Sequence, residues 1–315
     1  MGGRSISSLL LITRIQGVLF MNNSLIRGRN IKMVLFVLPA LVFFLAIKLI
    51  PAALGILYSF TNWNGINPTF KFIGMENFRE LFTGDEAFWN SLLFTLKYVV
   101  VIVALMNLTA LMLAVMTESI SRGRSIFRTI FYMPNMISMI IGGFMWKFVF
   151  TQVLYNVAEK TGLKFLDQSW TGDPSYAFWA ISIVAVWGGA GYLMVIYMAA
   201  IQSVPASLHE AAIVDGASAF GRLWNITLPM IRNAFTICIF VTLNNAFQVF
   251  DVVYSLTGGG PGRATQVIAL NIYQEAFDRS NRFGYATTKS TVLFLIILAV
   301  TFIQTKVMQR REVEA

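Results

Sequence analysis

An all-α protein that crosses a membrane several times is what the sequence predicts, and three observations predict it. Hydrophobic residues make up 57% of the chain and charged residues 12%, with a mean hydropathy of +0.67, whereas soluble domains carry about 25% charged residues. Six apolar runs are each long enough for a bilayer crossing, which takes about 20 residues. None of them alternates like a strand, and outside a closed barrel only a helix satisfies its own backbone polar groups in lipid.

The runs are roughly 33–60, 89–116, 126–150, 176–202, 230–256 and 287–307. They divide the chain into a basic N-terminal segment over 1–32, a transmembrane domain over 33–309 and a tail over 310–315. The first segment carries Arg4, Arg14, Arg27, Arg29 and Lys32 and no acid. Its apolar stretch, Ile6–Met21, is split by Arg14 and too short to span, so an interfacial helix or leader is expected. A signal peptide is the alternative, although no small-residue cleavage site follows cleanly. Pro51, Pro134 and the Gly188-Gly189 pair are expected to bend or open their helices. Lys48, Lys97 and Lys147 fall within the runs, where snorkelling to the interface accounts for them. Asp251 is expected to pair with one of the three.

Cation placement sets the orientation. With the N-terminus in the cytoplasm, the inner segments hold thirteen Lys and Arg and the outer segments eight, Lys289 being counted with the outer loop before the last run. Both termini are then cytoplasmic, and so is the segment 203–229. The net charge of +9 is therefore an expression of topology, not of nucleic-acid binding.

The composition also excludes chemistry. Cys238 is the one cysteine and His209 the one histidine, so an internal disulfide, a metal cluster and a Ser-His-Asp arrangement are not expected. Gly258–Gly262 lacks the Lys-Ser/Thr that would reach phosphates and magnesium in a nucleotide loop. It reads equally as a tight outer turn or a flexible loop.

The longest stretch between runs on the inner side, and not apolar enough for a bilayer, is Ser203–Pro229, SVPASLHEAAIVDGASAFGRLWNITLP. Ser207 and Glu210 fit a capping box. Leu208, Ala211, Ala212 and Asp215 follow at helical spacing, and the small alanines let a partner surface come close. Asp215-Gly216 reads as a stop, because Gly accepts positive φ. A second short helix is expected over 218–224, closed by Pro229. Arg222 is its one cation, too few for a DNA-reading helix-turn-helix.

The run Glu210-Ala211-Ala212-Ile213-Val214-Asp215-Gly216-Ala217, followed by Ile226-Thr227-Leu228-Pro229, resembles the EAA signature of ABC importer permeases, and the carbohydrate branch typified by maltose-type and glycerol-phosphate-type permeases most of all. Leu223 stands where that family often has an aromatic, and Trp224 beside it supplies the bulk. Gly258–Gly262 followed by Ala264-Thr265, together with Arg128, Pro134 and Ala286-Thr287, extends the likeness over most of residues 33–309. The resemblance implies a type I importer bundle of six transmembrane helices in a bacterial inner membrane. It implies that Ser207, Leu208, Glu210, Ala211, Ala212, Asp215, Gly216 and Ala217 form a cytoplasmic coupling helix. Two ATPase subunits would receive 203–229 and would hold ATP and Mg, this chain binding no cofactor. A second permease, in a heterodimer more than a homodimer, and an extracellular or periplasmic solute-binding protein would complete the assembly.

The resemblance also places Ala185, Gly189, Tyr192, Thr242, Asn245, Ala246 and Val249 on a carbohydrate path, to which Gln248 is added. Amides in lipid need a partner helix or a wet cavity, and sugars are held by amides and aromatic faces. Interhelical hydrogen bonding and a site held by the partner subunit alone stand as the alternatives. An ATP-independent secondary transporter or channel is the rival function, but it needs embedded ion-coupling groups or repeated halves. A membrane-embedded enzyme needs clustered catalytic groups, and neither set is evident.

Overall fold

The computed structural model describes residues 34–120, 122–279 and 281–309. The expectations for 1–32 and 310–315 lie outside the described residues. Residues up to Leu57 and those from Tyr58 onward form two separate units. The described part of the first unit belongs to a helix, α1 (Val34–Tyr58). Pro51 does not break it. A π-helical turn over Leu45–Leu49 directly precedes Ile50-Pro51, and such a wide turn absorbs the ring and the missing N–H.

The second unit holds the rest. A short amphipathic helix, α2 (Glu76–Gly84), leads into α3 (Glu86–Ser119). Asp85 starts α3 as its N-cap, accepting from the Phe88 N–H at 2.8 Å, and extended Ile120 ends it. Residues 126–150, expected as one run, fold as α4 (Arg124–Tyr132), a 3-10 turn over Met133–Met136, and α5 (Met139–Thr161). The two halves meet at 95°. The break lies at Ile137, in extended conformation shortly after Pro134.

Helix α6 (Pro174–Gln202) is capped by Asp173, which accepts from the N–H groups of Ser175 and Tyr176, with Pro174 at the first helical position where its missing N–H costs nothing. Here the bend expected at Gly188-Gly189 is absent, and α6 runs through unbroken. The glycines act as contact points instead. A Cβ on Gly188 would sit 2.6 Å from the Met139 Sδ and one on Gly189 2.8 Å from the Met106 Cε. Gly191 is tighter still, against the Phe131 carbonyl oxygen.

Two short helices follow, α7 (Ala206–Val214) and α8 (Ala219–Met230). Helix α8 turns by 70° into α9 (Arg232–Phe247). Pro229 does not close the segment. It sits inside α8 behind another π turn, Leu223–Thr227, and the break falls at Ile231. The expected span 230–256 is likewise interrupted: α9 ends at Phe247 and α10 (Asp251–Leu256) starts after a break at 248–250. Beyond it lie α11 (Ile268–Tyr273), which widens into a π turn, and α12 (Phe283–Gln309). The glycine run forms a closed turn, in which the Thr257 and Thr265 hydroxyls pair at 2.9 Å and Thr265 N–H donates to the Gly259 carbonyl at 3.1 Å.

Among the described residues four helices are long and apolar enough to cross a membrane, or up to six segments if each bent pair is one span. Helices α3 and α6 form the spine of the second unit. One buried cluster joins Phe88, Tyr98, Ile102, Ile181, Phe247 and Leu256. The other joins Ala110, Ala114, Leu193, Tyr197, Ile231 and Cys238. At the α3 C-terminus Glu118 accepts from Gln202 at 2.7 Å and pairs with Arg124 at 2.9 Å. At its N-terminus Asp85 accepts from the Tyr285 hydroxyl at 2.9 Å. These three contacts tie the two ends of the bundle.

Candidate functional site

Two features stand out, one at the Glu118 end and one between the helices. At the Glu118 end, α7 is a nine-residue helix with no buried residue. Ser207, Leu208, Glu210, Ala211, Asp215 and Gly216 are exposed, and Ala212 and Ala217 are half-buried. Its start differs from the capping box expected. Pro205, in extended conformation, is the N-cap, and no side chain caps the helix. Ser207 therefore lies one residue inside the helix, where its hydroxyl cannot act as an N-cap, and Glu210 is left free of the N-terminus.

The C-terminus of α7 is fastened firmly. Gly216 has φ +76°, the Ala217 N–H reaches the Ala212 carbonyl at 2.8 Å, and the Gly216 N–H reaches that of Ile213 at 3.0 Å. That pair of bonds is a Schellman motif, which needs a left-handed residue at this position. Ser218 then caps α8 by accepting from the Gly221 N–H at 3.1 Å. The result is a rigid two-helix projection carrying exposed Leu208, Ile213, Val214, Phe220 and Trp224, with Val214 86% exposed. Such a cluster of exposed apolar groups on a polar-rimmed surface marks a contact with another protein.

The second feature is a cavity of about 350 Å³ between α3, α5, α6, α9 and α10. All eight residues expected on a path line it: Ala185, Gly189, Tyr192, Thr242, Asn245, Ala246, Gln248 and Val249. Polar groups along the wall fall into two sets. Thr242 is committed to the protein: its hydroxyl donates to the Cys238 carbonyl at 2.7 Å and accepts from Asn107, whose other amide atom accepts from Tyr197. Asn135 is likewise committed, donating to the Gly188 carbonyl at 3.2 Å. Tyr192, Asn245 and Gln248 are exposed and have no side-chain hydrogen bond among the described residues. They face the cavity with free donors and acceptors. Asn244, next to Asn245, bonds back to the Phe240 carbonyl and is not part of the wall.

The sequence reading missed three things here. Asn135 and Met139 come to the wall from the broken α4–α5 pair, because the 95° bend turns it toward α6. Asp251 lines the cavity too. Among the described residues of its own unit it makes no ion pair with Lys97 or Lys147. The helix break at 248–250 turns it toward the cavity, and Lys97 instead lies over the Phe178 ring at 4.5 Å. Lys289, counted as a loop cation, is the third. It is buried in α12, 2.8 Å from Asp85, 3.0 Å from Glu275 and 3.0 Å from the Asn271 amide oxygen. Burial pushes the Asp85 carboxyl up, but Lys289, the Phe88 N–H and the Tyr285 hydroxyl outweigh it and hold Asp85 below the usual carboxylate range. This cluster borders a larger polar cavity of about 690 Å³ at the Asp85 end, lined also by Glu80, Arg263, Gln266 and Arg282.

Comparison with known proteins decides the class. The family model described as "binding-protein-dependent transport system inner membrane component" matches residues 106–313. The chain belongs to this family. The matched stretch contains the projection and every predicted wall residue of the permease cavity. Among its relatives is the probable starch degradation products transport system permease protein AmyD of Thermoanaerobacterium thermosulfurigenes, 42% identical over 89% of this chain and 94% of that protein. The multiple sugar-binding transport system permease protein MsmF of Streptococcus mutans is 32% identical over 84% of this chain and 90% of its own length. A crystal structure of a bacterial ABC transporter that imports the acidic polysaccharide alginate superposes with a TM-score of 0.77 at 25% identity, covering 90% of this permease and 96% of its chain. The permease is thus a membrane-embedded component of a binding-protein-dependent transport system.

Proposed function

We propose that this permease is one of two transmembrane subunits of an ATP-driven saccharide importer and works by alternating access. The observation that carries the proposal is the projection at 206–230: a pair of short helices with no buried residue in α7 and with exposed Glu210 and Asp215 carboxylates, unpaired among the described residues, beside apolar groups. A segment of this kind is unfinished without a partner, and in this family the natural partner is an ATPase subunit. The chain has no nucleotide loop of its own, so ATP and Mg belong to that partner.

Force enters at α7 and passes through α8 into α9. Helix α9 bears Thr242 and Asn245, so movement of the projection alters the cavity wall directly. The cavity, with free amides and a tyrosine, is the place where a sugar would pass, and relatives named for starch products, multiple sugars and alginate support that cargo class. The Asp85 end, with its large polar cavity, would face outward and receive a solute-binding protein; a bacterial alginate ABC transporter of similar fold has been solved in complex with an alginate-bound periplasmic protein. Both termini would then be cytoplasmic, and a heterodimer with a second permease would close the path.

The test is reconstitution. The permease, its partner permease and the ATPase in liposomes should take up labelled saccharide only with ATP inside and loaded binding protein outside. Uptake without the ATPase would overturn the proposal.

A further inference from the structure

Among the described residues the cavity wall carries one formal charge. Asp251 is the single Asp or Glu there, and no described Lys, Arg or His lines it. Asp251 is exposed, no cation of its own unit pairs with it among the described residues, and its carboxylate makes no side-chain hydrogen bond within that unit. The uncommitted groups near it on the same wall, those of Tyr192, Asn245 and Gln248, are all neutral.

Such a wall treats two kinds of saccharide differently. A neutral sugar presents hydroxyls, and a carboxylate accepts from them in charge-assisted bonds, stronger than neutral ones. A uronate or sugar phosphate brings a second anion close to Asp251 on a wall with no compensating cation, and like charges repel at that range. We infer that Asp251 is a specificity-determining residue, making this cavity a site for neutral saccharides and turning away anionic ones. The inference rests on the saccharide-import reading of the cavity and adds the charge class of the cargo.

The test is equilibrium binding by calorimetry to the complete transporter in lipid nanodiscs. Two probe mixtures of matched length are compared: neutral trisaccharides (maltotriose, cellotriose, raffinose) and anionic ones (trigalacturonate, trimannuronate). Wild type should bind the neutral mixture at least about tenfold more tightly, and Asp251→Asn should close most of that gap by strengthening the anionic arm. Asp251→Glu, which keeps the charge, should retain the gap. Raising salt from about 0.05 M to about 0.5 M should narrow the gap in wild type and not in Asp251→Asn, because repulsion is screened. Equal binding of both mixtures by wild type, or an unchanged ratio in Asp251→Asn, would overturn the inference while leaving the saccharide reading intact. Binding of neither mixture by wild type would remove the saccharide reading itself, and the inference with it.

Discussion

The Lys289 ammonium lies 2.8 Å from the Asp85 carboxylate, with 1% of the lysine side chain reaching solvent. This contact joins the start of α3 to α12, and Glu275, 3.0 Å from the same ammonium, adds the π turn after α11. The start of α3 is thereby tied to two neighbouring segments far along the chain, the π turn and α12, at one end of the bundle. Removing one member of a buried ionic cluster leaves uncompensated charge, at a cost of about 3–5 kcal/mol. Lys289→Met should therefore lower the thermal stability of the detergent-purified complex by several degrees. A melting curve unchanged from wild type would show that the cluster carries no stability.

The same cluster sets a pH dependence. Asp85 titrates below its ordinary range in the folded protein, so its contribution is present above the unfolded value and is lost as pH falls through the folded one. Stability should hold from about pH 8 down to about pH 5 and decline below about pH 4. Asp85→Asn should be less stable at neutral pH and show a smaller decline in acid. Melting temperature against pH in both proteins checks this.

Gly191 has the Phe131 backbone carbonyl against it. A methyl group there has no room, and the neighbour is main chain, not a flexible side chain. Overpacking of this kind costs about 1–3 kcal/mol. Gly191→Ala should reduce the yield of folded protein and its melting temperature, whereas Gly142→Ala, whose Cβ would meet only the Trp187 ring at 3.6 Å, should be tolerated.

Gly216 has φ +76° with open space around its Cβ position. Strain alone therefore opposes a side chain, at about 1–2 kcal/mol. Gly216→Val should leave the protein in the membrane but loosen the end of α7. The expected result is normal insertion with reduced uptake per ATP hydrolysed, measured in proteoliposomes.

The two sets of polar residues in the cavity should separate by assay. Thr242→Val breaks bonds to Cys238 and Asn107 and should lower stability. Asn245→Ala and Tyr192→Ala remove groups with no internal partner and should change uptake selectivity with little effect on melting. Equal effects of all three on both measurements would contradict the division.

Much of the architecture was legible in the sequence because bilayer crossing imposes a length and a composition that local reading detects. The projection was legible because Asp215-Gly216 is a chain-reversal signal of local origin. What escaped depends on distant partners or on small differences in helix geometry. Lys289 looks like a loop cation until Asp85, far back in the chain, arrives beside it. Gly188-Gly189 gives the same local signal whether it opens a helix or lets Met106 and Met139 come close. Pro51 and Pro229 read as breakers because a π turn ahead of each has no strong sequence mark. Ser207-x-x-Glu210 matched a capping pattern, but Pro205 had already set the helix start.

The most direct test of the coupling account is chemical accessibility at position 210. In a Cys238→Ser background, which removes the one native cysteine, Glu210→Cys should react with a membrane-impermeant maleimide in inside-out vesicles and not in right-side-out ones. Bound ATPase subunits should block the reaction. Labelling from the outer face, or labelling indifferent to the ATPase, would contradict the account.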